Sequence, residues 1–226
     1  MLVSHPLDER LASWLPKGSL YSVGGRVRDE LRADVAADGA AAVKDLDYVV
    51  VGVPQDELVR ILGARGWVDV VGAAFAVVKF WSEEGSADLA LPRRERSTGP
   101  GHRDFVIESS PEIPLEDDLA RRDFRMNMIA RRLPDGELVD PYGGLDDIVA
   151  RRIDILRPET FSEDPLRMFR AAQFAARFRY AVSPQAIAAM RAAAHLATEV
   201  SAERIYDEFT KLLGAERPSI GFALLA

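Results

Sequence analysis

Val23–Leu31, V-G-G-R-V-R-D-E-L, and Lys44–Val51, K-D-L-D-Y-V-V-V, are the stretches whose reading decides the fold. A short apolar strand, Leu20–Val23, runs into two glycines, and a helix over residues 24–33 follows. The second stretch is a strand, 45–52, that opens with Asp45 and Asp47. Side chains alternate faces along a strand, so these carboxylates are expected to project together while Leu46 and Tyr48 point into the sheet. Two such carboxylates repel each other unless a cation joins them, and hard oxygen ligands suit Mg²⁺ carried in with a nucleotide phosphate. Gly24 and Gly25 let the backbone approach a phosphate, and the helix N-terminus presents free N–H groups to it. Arg28, one turn in, is placed to reach the same anion. Taken singly, Gly-Gly is an ordinary tight turn and D-x-D a solvated strand end. Their order within one strand–turn–helix–strand unit points instead to a metal-dependent nucleotide site.

Composition bounds the function. The 226 residues suffice for one sizeable domain or two small ones, and a 48% hydrophobic content supplies a core. Arg, Asp or Gly interrupts every long apolar run, so no membrane partner is expected, and the N-terminus lacks the pattern of a signal peptide. Cysteine is absent, which removes disulfides, thiolate catalysis and Cys-ligated zinc and fits a cytoplasmic protein. The three histidines are too scattered to form a metal cluster. A net charge of −7 argues against broad electrostatic adhesion to nucleic acid, though not against a local basic face. The basic residues are overwhelmingly Arg, the side chain suited to bidentate phosphate and base contacts.

Further along, residues 6–15 read as an amphipathic helix, and Pro54 as the first residue of a helix running to the Gly63–Gly66 region. Trp67–Val71, Phe75–Trp81 and Ala87–Leu91 read as strands, the last two joined through S-E-E-G. Asp88, in the last of these, is either an outward polar residue or a third carboxylate beside Asp45 and Asp47 that completes a two-metal site. Arg93–Phe105 reads as a loop, either a lid over a phosphate-rich substrate or a solvated connector. After Pro114 the chain reads as helical through L-E-D-D-L-A-R-R-D-F-R-M-N-M-I-A-R-R-L (115–133), acids early and bases late, with Asp123 and Asn127 four apart on one face. Residues 158–226 read as helical throughout, with Ser201 near a helix N-cap. Asp164, Arg167 and Arg170 recur every three residues there: an ordinary ion pair, or an acceptor and donors held rigidly for the edge of a base.

Together these motifs, over residues 18–226, resemble the class II tRNA nucleotidyltransferases, the bacterial CCA-adding enzymes, and their relatives the bacterial poly(A) polymerases. The resemblance implies an α+β fold: a polymerase-beta-like mixed-sheet nucleotidyltransferase head (1–157) followed by an all-helical neck (158–226). G-G-R-V-R-D with D-L-D resembles the metal and triphosphate motif, implying Asp45 and Asp47 as Mg²⁺ ligands and Gly24, Gly25 and Arg28 as nucleotide contacts. R-R-D-F-R-M-N resembles R-R-D-F-T-I-N, implying nucleotide contacts from Arg122, Asp123 (ribose) and Asn127. E-D-P-L-R resembles the base-reading motif, implying that Asp164 and Arg167, with Arg170, select CTP or ATP. A-E-R-I-Y-D-E-F resembles a helix that braces the neck, and Arg93–Phe105 corresponds to the family's flexible loop. Arg125, Met128 and Gln173 depart from the family pattern. The expected partners are a tRNA 3′ end, CTP and ATP, and the expected reaction is attack of the RNA 3′-hydroxyl on the nucleotide α-phosphate. Poly(A) polymerase, CC-only, A-only and non-extending nucleotide-binding versions share these motifs. The family continues into helical body and tail domains, so this chain is expected to be a truncated form.

Overall fold

The computed structural model describes residues 5–36, 45–72, 77–97 and 105–226. In chain order the elements are α1 (Pro6–Trp14), β1 (Leu20–Val23), α2 (Gly25–Ala36), β2 (Asp47–Val50), α3 (Gln55–Gly63), β3 (Trp67–Val71), β4 (Val77–Ser82) and β5 (Gly85–Ala90). Then come β6 (Arg93–Ser97), β7 (Phe105–Ser109), α4 (Leu115–Ala120), β8 (Ala130–Arg132), β9 (Leu138–Val139), α5 (Gly144–Val149) and β10 (Arg152–Ile153). The rest is α6 (Thr160–Glu163), α7 (Leu166–Phe178), β11 (Ala181–Val182), α8 (Pro184–Ala193), α9 (Ala202–Leu213) and α10 (Pro218–Leu225). The chain packs as two compact units, residues 1–122 with 127–145 and residues 123–126 with 146–226. The family-based boundary at 157 therefore differs from the packing boundary, which groups 146–157 with the later residues.

The first unit is built on a seven-stranded sheet in the order β3-β4-β5-β2-β1-β8-β9. Only β2 and β5 run parallel; every other neighbouring pair in this sheet is antiparallel. The mixed sheet with helices is the one the motifs imply. Its core gathers Leu7 and Leu11 of α1, Leu58 and Leu62 of α3, Leu46 just before β2, and Tyr48, Val78, Phe80, Ala87 and Leu89 of the central strands. Burying side chains of this size stabilises by about 1.5–3 kcal/mol each. Beneath the sheet a charged network is closed off from water. Arg26 of α2 donates to Asp8 at 2.7 Å and to Glu30 at 2.9 Å, and Tyr48 donates to Asp8 at 2.6 Å. Arg131 of β8 closes the network on Glu30. Each carboxylate thus faces a guanidinium, the condition under which buried charge is tolerated.

In the second unit α7 is the central helix, with Ala171, Ala172, Ala175 and Ala176 fully buried along it. A Cβ on Gly221 of α10 would lie 2.6 Å from the Ala172 carbonyl oxygen, so glycine is what permits that approach. Phe124 packs edge-on to Phe174, centroids 5.8 Å apart.

Several elements differ from the sequence reading. The helix expected over 115–133 stops at Ala120; the chain then passes through a 3-10 turn at Arg125–Asn127 and enters β8 (Ala130–Arg132). The reason is legible afterwards: Met126, Met128, Ile129 and Ala130 are all buried, a near-continuous apolar run that suits a strand enclosed within a sheet and not one face of a helix. Asp123 and Asn127 consequently share no helical face. Residues 93–97 are not loop but pair with 105–109 as an antiparallel ribbon, with Arg94 and Glu108 opposite each other and bonded at 3.1 Å. The lid expectation for 98–104, and Phe75 of the expected strand, lie outside the described residues. Residues 158–226 are not helical throughout: β11 pairs in parallel with β10. Pro54 is the N-cap residue of α3 rather than its first residue. Ser201 holds the N-cap position of α9 without a side-chain bond, whereas Ser183 caps α8 through Ala186 at 3.0 Å. Asp164 precedes α7 in extended backbone, so it does not share a helix face with Arg167 and Arg170.

Candidate active site

In the first unit the site lies where β1 turns into α2. Gly24 has φ +76°, a left-handed conformation that glycine adopts without penalty. A Cβ there would lie 3.3 Å from Arg122 Nη1 and 3.9 Å from Asp47 Oδ2, so the missing side chain keeps open the space between a cation and a carboxylate. Asp47 starts β2, and its Cα partner on the parallel strand β5 is Asp88. The third carboxylate expected from sequence is therefore a direct lateral neighbour of Asp47. Asp45 stands exposed two residues earlier. Burial pushes the Asp47 carboxyl above its usual range, and the charges of Asp88 and Asp45 push the same way against the pull of Arg122 and Lys79.

Two pockets meet at this pair of carboxylates. One, of about 190 Å³, is bounded by Asp47 and Asp88 together with Arg93, Asp118, Arg121 and Arg122. Asp118 is buried and organises the arginines, accepting from Arg121 Nη2 at 2.8 Å and Arg122 Nη2 at 3.0 Å. Burial alone would raise the Asp118 pKa, yet these two guanidinium groups hold it below the usual carboxylate range. The Arg93 guanidinium is pushed down by burial and by crowding against Arg121 and Arg122. Three guanidinium groups and three carboxylates, Asp47, Asp88 and Asp118, thus line the pocket, and its arginines are the donors suited to a polyphosphate. The Nε of Arg122 is buried and without a hydrogen-bond partner among the described residues. The other pocket, of about 300 Å³, is bounded by Asp45, Asp47, Asp88, Lys79, Trp81 and Ser86. Here Lys79 Nζ bonds both Asp88 oxygens, at 3.0 and 3.2 Å.

The donor set fits a hard divalent cation. Among the described residues no three acidic or histidine side chains gather into a ready-made cage. Mg²⁺ is instead bound through one or two carboxylates while phosphates and water supply its other ligands. Asp45 and Asp47, beside the arginine-lined pocket, are such a pair. Asp88 differs from them because Lys79 already neutralises it.

Arg28 sits beneath this surface. It donates to Asn127 at 2.8 Å and to the Asp29 carboxylate at 2.8 and 2.9 Å, tying the first turn of α2 to the end of the R-R-D-F-R-M-N segment. A Cβ on Gly25 would touch the Arg28 guanidinium at 3.4 Å.

The second unit brings its predicted residues together differently. Asp123 Oδ2 accepts from Arg170 at 2.7 and 2.8 Å, while its other oxygen takes the Phe124 N–H. Burial alone would lower the Arg170 pKa, but Asp123, Glu208 and Asp164 raise it above the usual value. Asp164 accepts the Leu166 N–H at 3.2 Å and an Arg204 bond at 2.9 Å. Arg167 donates to the Thr160 carbonyl at 3.2 Å. Gln173, one of the departures noted in the sequence, is buried with its Nε2 unpartnered among the described residues.

Sequence reading missed Lys79, Arg93, Asp118, Arg121, Arg204 and Glu208 as members of these clusters. Lys79 had a signal. The S-E-E-G hairpin pairs Ser82 with Gly85, and counting three residues out on each strand sets Lys79 opposite Asp88. Asp118 had none, since an acid in the first turn of a helix reads as ordinary dipole compensation.

The poly A polymerase head domain family matches residues 20–154. A second family, described as the probable RNA and SrmB-binding site of polymerase A, matches residues 179–226. The multifunctional CCA protein of Chromobacterium violaceum is 42% identical over 210 residues, covering 91% of this chain and 47% of that protein. The multifunctional CCA protein of Azoarcus sp. is 42% identical over 202 residues, covering 88% and 45%. The chain thus spans about half the length of the curated relatives it matches. Among solved structures, the Bacillus stearothermophilus CCA-adding enzyme in complex with CTP superimposes with a TM-score of 0.74 at 28% identity, over 92% of this chain and 47% of that one.

Proposed function

This chain belongs to the poly A polymerase head domain family, and from that premise we propose that it is a tRNA nucleotidyltransferase that adds CCA to the tRNA 3′ end from CTP and ATP. The reaction is attack of the RNA 3′-hydroxyl on the nucleotide α-phosphate, with pyrophosphate leaving. The observation that carries the reading is the lateral pairing of Asp47 with Asp88 beside the side-chain-free Gly24 and the Arg122 guanidinium. The likeness to a CCA-adding enzyme bound to CTP supports the choice of substrate.

Each residue then has a role set by its chemistry. Asp45 and Asp47 would hold Mg²⁺, which when bound offsets triphosphate charge and lowers the pKa of the attacking hydroxyl. Asp88 assists them once its bond to Lys79 is exchanged. Gly24 and Gly25 admit phosphate oxygens to the backbone, and Arg122 with Arg121 and Arg93 receives their charge. Arg28 and Asn127 hold the turn that presents those glycines. Asp164 and Arg167 select the base, one accepting and the other donating, while Asp123 and Arg170 serve the sugar and the same nucleotide. Residues 1–157 act as the head and 158–226 as the neck. No helix among the described residues is long and apolar enough to cross a membrane, and the proposed setting is the cytoplasm.

The test is extension of a tRNA lacking its last three nucleotides with Mg²⁺ and CTP, ATP or both, resolved to single nucleotides. Addition of C, C and A that then stops is the expected result. A long ladder with ATP alone would replace the reading by poly(A) synthesis. Asp47→Ala should abolish incorporation with the fold intact by circular dichroism, and substantial residual incorporation would remove Asp47 from the metal.

A further inference from the structure

The two pockets at the carboxylates share only Asp47 and Asp88, and they differ in chemistry. One is walled by guanidinium groups, the chemistry of a polyphosphate. The other opens along the sheet toward its edge, and strand register shows what it opens onto. Across neighbouring strands one row reads Asp47, Asp88, Lys79, Asp69. The adjacent row on the same face reads Ser86, Trp81, Trp67. Trp81 lies in the wall of the pocket that also holds Asp45 and Asp47. Trp67 is 63% exposed, on the edge strand β3. The two indoles pack with centroids 4.5 Å apart and planes inclined by 44°.

An indole pair on the solvent side of a sheet, with the core on the opposite face, adds nothing to the hydrophobic interior. With strands about 4.8 Å apart, Trp81 stands two strands and Trp67 three strands from the Asp47 position. A group-transfer site must receive two substrates at one set of carboxylates. If the arginine pocket takes the triphosphate, the second pocket is left for the chain being extended.

We propose that Trp81, supported by Trp67, forms a stacking platform for the unpaired bases at the 3′ end of the acceptor RNA. The proposal rests on the nucleotidyltransferase reading and adds to it the side from which the acceptor enters. Stacking suits an acceptor whose last base changes with every addition, because each base offers a π-face whatever its hydrogen-bonding edge. Lys79, opposite Asp88 and two residues from Trp81 along β4, lines the same pocket, and Asp69 and Asp88 limit how much phosphate the surface attracts by charge alone.

The test uses a 5′-labelled single-stranded RNA hexamer and the same hexamer with an abasic 3′-terminal residue, read by fluorescence anisotropy, with Mg–CTP binding measured in parallel. The wild type should bind the intact hexamer more tightly than the abasic one. Trp81→Ala should weaken the intact hexamer by about 5- to 150-fold, the span of one base–aromatic stack, and erase the difference between the two RNAs. Trp81→Phe should restore most of the affinity, and Mg–CTP binding should be unchanged in both. Wild-type RNA affinity in Trp81→Ala and Trp67→Ala would overturn the platform. So would equal wild-type binding of the two hexamers. An effect of these variants confined to self-association by sedimentation would overturn it too, making the β3 edge a contact between copies. The underlying reading fails separately, if Asp47→Ala leaves Mg–CTP binding untouched.

Discussion

Gly24→Ala, with Gly18→Ala as its matched control, isolates the space that the nucleotide site requires. Both glycines are left-handed, at φ +76° and +82°. An alanine in that conformation costs about 1–2 kcal/mol wherever it occurs. At about 2–4 °C per kcal/mol for a chain of this size, each variant should lose about 2–8 °C in Tm. The surroundings then separate them. Nothing lies within 4 Å of a Cβ at Gly18, whereas a Cβ at Gly24 meets Arg122 Nη1 at 3.3 Å. That guanidinium is anchored to Asp118 through Nη2 at 3.0 Å, so it yields only by straining a charge-assisted bond. Losing one hydrogen bond to a charged group costs about 1.5–3 kcal/mol, or about 10- to 150-fold in the Kd for Mg–CTP. Calorimetric titration with Mg–CTP, beside thermal unfolding, reads both quantities. Equal losses of nucleotide affinity in the two variants, or wild-type affinity in Gly24→Ala, would refute the argument.

The other predictions concern the scaffold. Arg26→Met should remove the guanidinium that Asp8, Tyr48 and Glu30 share and destabilise the protein by about 3–5 kcal/mol in urea unfolding. A loss below about 1 kcal/mol would contradict the burial of that network. Stability should also fall in acid. Burial alone would raise Asp8, but bonds from Arg26 and Tyr48 bring it below its usual value, as Arg122 and Arg121 do for Asp118. A carboxylate depressed in the folded state contributes stability fully above its ordinary value of 3.8 and loses it as pH falls through the folded one. Asp47, raised by burial, works in the opposite sense and offsets part of the fall. Unfolding free energies measured from pH 6 down to pH 3 should therefore decline below about pH 4; a flat profile would mean that these carboxylates are not paired.

What could be read from sequence was local. The strand at Leu20–Val23, the glycine turn and helix behind it, and the strand at Asp47 follow from periodicity and from what glycine permits. Leu46 and Tyr48 are buried and Asp45 exposed, as alternation along a strand requires. The motifs also set Asp47 and Asp88 on strands before any pairing was known, whereas the strand expected over 45–52 is shorter, Asp47–Val50, and leaves Asp45 just before it. The helix running past Ala120 was misread because acids early and bases late satisfy a helix dipole whether or not the helix continues. The apolar run Met126, Met128, Ile129 and Ala130, all of it buried, was the stronger signal for a strand.

By itself the sequence determined the chemistry available: acidic strand ends, a side-chain-free turn, arginine-rich motifs in a family's order, and no thiol. Only the tertiary structure decided how that chemistry is divided. It set Asp88 beside Asp47 but gave it to Lys79, collected Arg93, Arg121 and Arg122 around one buried Asp118, and bound Asp123 to Arg170 while Arg28 took Asn127. Side-chain identity and backbone period are properties of a few neighbouring residues, and sequence carries them directly. Which charge neutralises which depends on strand order, register and burial, and those are settled only when distant segments compete for the same partners in a dry interior.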